Sequence, residues 1–226
     1  MKKLLIANRG EIAVRIIRTA RELGIPTVVV ASEPDADGLA ARLADECAVI
    51  GPAPASQSYL DHGAVLKAAA DFGCDAVHPG YGFLSENAAF ARAVGEAGLI
   101  WVGPSPEAIE LMGDKARARQ AAEAAGVPTL RGTHGEAPTG DALLEIAAEI
   151  GYPLVVKAAA GGGGRGIRLV TRAEDLASTV EVAQAEAAAA FGSAAVYLEK
   201  FVERARHVEV QVLGDGTNVV HLGDRD

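Results

Sequence analysis

The sequence predicts an α/β protein in two parts. A parallel sheet flanked by helices is expected in the first half, and an α+β unit with a glycine-rich hairpin after about residue 130. Three observations carry this. Short apolar runs alternate with amphipathic stretches through the first half, at the interval of strand–helix units. After about residue 130 the pattern changes, and Val208, Val210 and Val212 alternate with Glu209 and Gln211, the period of an antiparallel strand with one wet face. Hydrophobic residues make up 50% and aromatics only 4%, which suits α/β architecture better than a β-sandwich.

Residues 3–7 (KLLIA) read as a buried strand. Residues 11–24 read as a helix, with Ile12, Ile16, Ala20 and Leu23 at helical spacing and Gly24 as the stop. A strand follows at 26–32, a helix at 59–73 and a short strand at 75–80 broken by Pro79. A helix at 85–98 has Ser85 as its expected N-cap, and a strand covers 99–103. Residues 104–128 predict two helices split near Gly113, and the turn-rich stretch 131–141 a surface loop or linker. LEIAAEIG (144–151) then reads as helix, and YPLVVKA (152–158) and GIRLV (166–170) as strands. A long helix is expected from about 172 to 190, behind a Thr171-x-x-Glu174 capping box. Residues 194–202, 207–216 and 217–226 read as strands, with Gly214-Asp215-Gly216 as a hairpin turn.

Composition excludes several classes. The formal charge of −9 would repel polyanions, so bulk nucleic-acid binding is not expected. Cys47 and Cys74 alone make neither a disulfide framework nor a four-ligand zinc site, so a reducing cytoplasm is the expected compartment. The apolar start ends at Ala7 with charges at Arg9 and Glu11, unlike a signal peptide, and no apolar run approaches the roughly 20 residues that span a bilayer. No His/Cys/Asp cluster has metal-ligand spacing, so no metal site is predicted in the chain.

Gly161-x-Gly163-x-x-Gly166 fits the dinucleotide fingerprint, which requires the glycines to open into a helix. Here they open into the β-branched IRLV, so the order is strand, glycine loop, strand. No Gly-Lys-Ser/Thr follows, so this is not a P-loop either. A glycine-rich hairpin can instead cover ATP phosphates with bare N–H groups and close as a lid. Lys157, at the end of the preceding strand, could meet those phosphates, and Arg165 could add charge. HPGYGF (78–83) lies at a strand's carboxyl end, where α/β ligand sites occur; a tight turn explains it equally well. Arg9 and Glu11 lie in the first strand–helix loop, which lacks phosphate-binding glycine spacing.

YPLVVKAAAGGGGRG (152–166) resembles the ATP-binding signature shared by biotin carboxylases and carbamoyl-phosphate synthases of the ATP-grasp superfamily. IANRGEIAVRIIRTARELGI (6–25), HPGYGFLSEN (78–87), GPSPEAIELMGDK (103–115) and EKFVERARHVEVQVLGDG (199–216) resemble biotin carboxylases in particular, in order along the whole chain. The resemblance implies a Rossmann-like N-terminal domain (1–112) and an ATP-grasp lid domain (113–226), with the second ATP-grasp lobe truncated. It implies Mg-ATP and bicarbonate as reactants, carboxyphosphate as intermediate, and N1′ of biotin on a carrier protein as acceptor. It places Lys115 and Lys157 on ATP phosphates, Gly163 and Gly164 in the lid, Glu199, Lys200, Phe201 and Val202 in a hinge reading adenine through backbone, and His207 near the nucleotide. A biotin carboxyl carrier protein or domain, a carboxyltransferase subunit or domain, and a second copy of the chain are the implied partners. The acidic Mg²⁺ ligands and catalytic groups are expected beyond Asp226, so no catalytic residue is assigned, and residues 1–226 alone are expected to be inactive. Another ATP-grasp ligase and a non-catalytic interaction module are the alternatives.

Overall fold

The computed structural model describes residues 1–133, 135–159 and 167–225. The chain divides into two units, Met1–Ala118 and Arg119–Asp226.

In the first unit, alternation within short apolar strands sorts side chains onto two faces. The elements are β1 (Leu4–Ile6), α1 (Gly10–Glu22), β2 (Thr27–Ser32), α2 (Leu39–Leu43), β3 (Glu46–Gly51), α3 (His62–Asp71), β4 (Ala76–His78), α4 (Ala88–Glu96), β5 (Ile100–Trp101) and α5 (Pro106–Gly113), with α6 (Lys115–Ala124) crossing the unit boundary. The strands are parallel in the order β3-β2-β1-β4-β5. Leu5, Val28, Val30 and Val77 pack with Val65 of α3 and Phe90 of α4. Leu4, Ile6 and Val29 face the other way, onto Ile12, Ile16 and Ile17 of α1. Each such fully buried side chain contributes roughly 1.5–3 kcal/mol, so the predicted two-faced burial is the main support of this unit.

Two local expectations are corrected. The N-cap of α4 is Asn87, whose side chain accepts from the Phe90 N–H (2.8 Å). Ser85 lies in the preceding turn, donating its N–H to the Gly82 carbonyl (2.9 Å), so the helix starts later. Strand β3 and helix α2 lie where no element was anticipated; β3 is a half-exposed edge with a mixed sequence and little periodic signal.

The second unit contains α7 (Asp141–Ile150), β6 (Leu154–Ala158), β7 (Ile167–Val170), α8 (Leu176–Phe191), β8 (Val196–Lys200), β9 (Glu209–Gly214) and β10 (Val219–Arg225). β6 lies between β7 and β8, antiparallel to both. Leu154, Val156, Val170 and Leu198 form one face with α7 and α8. The stretch read as a loop reaches β8: Thr133 N–H donates to the Leu198 carbonyl (2.9 Å), Lys200 N–H to the Arg131 carbonyl (2.8 Å), and Gly132 bridges Glu199.

The Thr171 capping box does not form. Ala173–Asp175 is a 3₁₀ turn, and Arg172 takes the carboxylates of Glu174 (2.7 Å) and Asp175 (3.0 Å), so Glu174 does not reach back. The hairpin turn runs from Asp215 to Asn218: the Asp215 carboxylate accepts the N–H groups of Thr217 (2.8 Å) and Asn218 (2.7 Å). Every residue of β9 is exposed, so the expected dry face is not covered among the described residues. Among them, no helix is long and apolar enough to cross a membrane.

Candidate functional site

The period of two that buries Leu154, Val156 and Ala158 turns Val155 and Lys157 to the opposite face of the sheet. Cross-strand register sets two rows there, Leu169–Val155–Glu199 and Ile167–Lys157–Tyr197. Ile167 and Leu169 are 48% and 50% exposed, an apolar shelf beside a charged pair. The Lys157 ammonium is ion-paired with Glu199 and lies 5.9 Å from the Tyr197 ring centroid. The other Glu199 oxygen is 4.0 Å from the Arg119 guanidinium. Burial first, then the Glu199 charge, pushes the Tyr197 hydroxyl up, which keeps it neutral at physiological pH. An apolar shelf suits a purine face, and an ammonium beside it suits phosphate oxygens.

Lys157 and Ile167 are paired across antiparallel neighbours, so residues 158–166 connect adjacent strands, and the dinucleotide arrangement of strand to helix is excluded. Gly163 and Gly164, with Gly161, Arg165 and Gly166, lie outside the described residues.

The expected hinge is only partly presented to this face. The Lys200 side chain points to the helical side and donates to the carbonyls of Gly151 (3.2 Å) and Tyr152 (2.8 Å), just beyond the end of α7. The backbone N–H groups of Lys200 and Phe201 donate to the carbonyls of Arg131 (2.8 Å) and Pro153 (3.1 Å). Val202 follows, exposed, and His207 is exposed in the segment leading to β9. In the first unit, Lys115 is exposed at the start of α6, after the break at Gly113 and Asp114, whose carboxylate accepts the Arg117 N–H (3.0 Å).

Val155, Ile167, Leu169 and Tyr197 were not singled out from the sequence. The signal was available for Val155 and Tyr197, which share strand parity with Lys157 and Glu199; Ile167 and Leu169 join that face only through the register of β7 against β6. Arg119 carried no such signal; at four residues from Glu123 it looks like an ordinary helix-surface pair.

The first unit has its own crevice at the carboxyl ends of β1 and β4, where the strand order reverses and open α/β sheets take ligands. A cavity of about 380 Å³ is lined by Asn8 to Ile12 and Tyr81 to Phe83, which brings NRGE against HPGYGF. The buried Asn8 amide donates to the carbonyls of Pro79 (2.7 Å) and Tyr81 (2.8 Å) and accepts the Arg9 N–H (2.8 Å). Gly80, at φ +66°, is bare because a Cβ would stand 3.0 Å from both Asn8 Nδ2 and Ile12 Cγ1. Arg9 lies over the stacked Tyr59 and Phe83 rings and pairs with Asp35 (3.0 Å). The Tyr59 hydrogen bond foremost, and those of Arg9 and Ser32, hold the Asp35 carboxyl below its ordinary range against the opposing effect of burial.

An antiparallel sheet whose central strand carries a lysine just ahead of a glycine-rich connection, following a parallel-sheet domain in sequence, is the arrangement of an ATP-grasp ligase. The family models for the biotin carboxylase N-terminal domain and the carbamoyl-phosphate synthase L chain ATP-binding domain match residues 1–109 and 114–226. By these matches the chain belongs to the biotin carboxylase family. It is 54% identical to a biotin carboxylase of Pseudomonas aeruginosa and 52% to biotin carboxylase 1 of Bacillus subtilis, with all of this chain covered and 51% and 50% of those proteins. The chain thus spans about half the length of the curated relatives it matches. The crystal structure of a biotin carboxylase–β,γ-ATP complex from Campylobacter jejuni is similar at TM-score 0.91 and 46% identity, covering 99% of this chain and 50% of that one. The biotin carboxylase domain dimer of Hydrogenobacter thermophilus 2-oxoglutarate carboxylase, in complex with MgADP, ADP and bicarbonate, matches at TM-score 0.88 and 47% identity, covering 99% and 49%.

Proposed function

We propose that the whole protein uses Mg-ATP and bicarbonate to carboxylate biotin on a carrier protein or domain, the first half-reaction of a biotin-dependent carboxylase. The observation that carries this is Lys157, set on the open sheet face directly ahead of the glycine stretch. In this reading the purine rests against Ile167 and Leu169, with Val155 buried beneath them, beside the hinge at Glu199, Lys200, Phe201 and Val202. The phosphates meet Lys157 and Lys115 under the Gly163–Gly164 lid, with His207 nearby. We divide the chain into an N-terminal domain over 1–112 and the first part of the ATP-grasp domain over 113–226.

A bicarbonate oxygen takes the γ-phosphoryl group, releasing ADP; the resulting carboxyphosphate breaks to CO₂ and phosphate, the phosphate takes the biotin N1′ proton, and N1′ takes up the CO₂. Bound Mg²⁺ would neutralise phosphate charge. No three His, Cys, Asp or Glu side chains stand together among the described residues, so none of these is assigned to the metal. A carboxyltransferase subunit or domain, a second copy of the chain, and a cytoplasmic setting complete the proposal. The dimeric solved relative and the free Cys47 and Cys74 support it.

The test is incubation of the whole protein with Mg-ATP, labelled bicarbonate and biotin. Acid-labile label on biotin, with phosphate release that needs both bicarbonate and biotin, is the expected result. Ammonia-dependent formation of carbamoyl phosphate instead would assign the protein to the other branch of the superfamily.

A further inference from the structure

Four side chains of alternating charge run from α6 to the open sheet face. Glu123 accepts from the Thr129 hydroxyl (2.8 Å) and from Arg119 Nε (3.2 Å). Arg119 Nη1 stands 4.0 Å from one Glu199 oxygen, and the other Glu199 oxygen holds Lys157. The arrangement is enclosed: the side chains of Arg119, Glu199 and Lys157 are 13%, 20% and 25% exposed. It also has a steric requirement. A Cβ on Gly132 would overlap the Leu198 carbonyl and stand 2.5 Å from Arg119 Nη1, so the guanidinium packs against the bare backbone of residue 132 as it reaches Glu199.

We infer that Arg119 is a positioning residue for the nucleotide phosphates, acting through Glu199 on Lys157. The inference rests on the nucleotide reading of this face. A lysine ammonium on four rotatable bonds is costly to hold in one place, and the Glu199 pair holds it beside Tyr197. That carboxylate by itself would repel a polyphosphate arriving at the same ammonium. Arg119 meets the second oxygen, offsets the charge and keeps the carboxylate turned, while Glu123 and Thr129 fix Arg119 from behind. The purine shelf of Ile167 and Leu169 does not enter this chain of contacts.

The test uses the whole protein with ADP and adenosine as separate probes in calorimetric titration, together with Mg-ATP kinetics. Arg119→Ala is expected to weaken ADP roughly fivefold, as for a partly buried ion pair, and to leave adenosine unchanged. KM for Mg-ATP should rise by the same factor while kcat stays within about twofold. Arg119→Lys, which retains a cation, should stay within about twofold of the parent for ADP. In a Glu199→Gln background, Arg119→Ala should add no further loss, because its effect passes through that carboxylate. Should Arg119→Ala fail to fold, Arg119→Gln keeps the bulk and carries the same expectations. Unchanged ADP affinity, equal losses for ADP and adenosine, or a full additional loss in the Glu199→Gln background would each overturn the inference. A parent protein that binds no ADP would overturn the nucleotide reading itself, and this inference with it.

Discussion

His78 ends β4 with its Nδ1 accepting the Gly80 N–H (3.0 Å). Burial first, and then the Arg15 charge, pushes its pKa down, so the folded protein holds it neutral. The unfolded chain takes up a proton near the ordinary histidine pKa of about 6.5, before the folded protein does. Stability is therefore full above that value and declines as the pH falls through it towards the lower folded pKa. His78→Asn keeps an acceptor at the Nδ1 position and removes the titration. Urea unfolding at pH 7.5 and 5 should show a smaller loss on acidification for the variant than for the parent; equal losses would contradict the account. Residue-level legibility followed local chemistry. Lys157 could be read because it sits between an apolar strand and glycines. Lys200 reads as a polar side chain in the same kind of strand, yet its ammonium is used beyond the end of α7, a contact set by the position of Tyr152 and Gly151 in space. Arg119 was illegible for the same reason: its partner Glu199 is 80 residues away in sequence.

At the scale of elements, the parallel strands β1, β2 and β4 were legible because each is an apolar run buried against helices of the right period, and β5, with Ile100 half-exposed, only as an apolar run after a helix. β3 was not, because an edge strand half in solvent needs no such pattern. The contact of residues 131–133 with β8 was also hidden: a turn-rich composition describes local preference and says nothing of which strand a segment will border. The glycine connection between β6 and β7 was legible as a hairpin, since IRLV after the glycines continues as a strand antiparallel to β6. From its sequence, Gly163→Val and Gly164→Val should leave the melting temperature of the whole protein unchanged and slow its Mg-ATP turnover. Backbone bulk obstructs close approach to phosphates while a hairpin tip carries little of the core. A variant that melts early but turns over normally per folded molecule would make these glycines structural instead.

At the scale of the molecule, two cores of different architecture divide the work. The parallel unit supplies a crevice where its strand order reverses, held by Asn8 and Arg9. The antiparallel unit supplies a sheet face with an ammonium beside an apolar shelf. The central claim is that this second face binds the phosphates of ATP through Lys157. Calorimetric titration of the whole protein and its Lys157→Ala variant with ADP tests it most directly. A charge-assisted contact to phosphate is worth roughly 1.5–3 kcal/mol, so the variant should bind ADP about tenfold to a hundredfold more weakly, with its melting temperature in the absence of nucleotide unchanged. ADP affinity equal to that of the parent would contradict the claim and remove this sheet face from the nucleotide site.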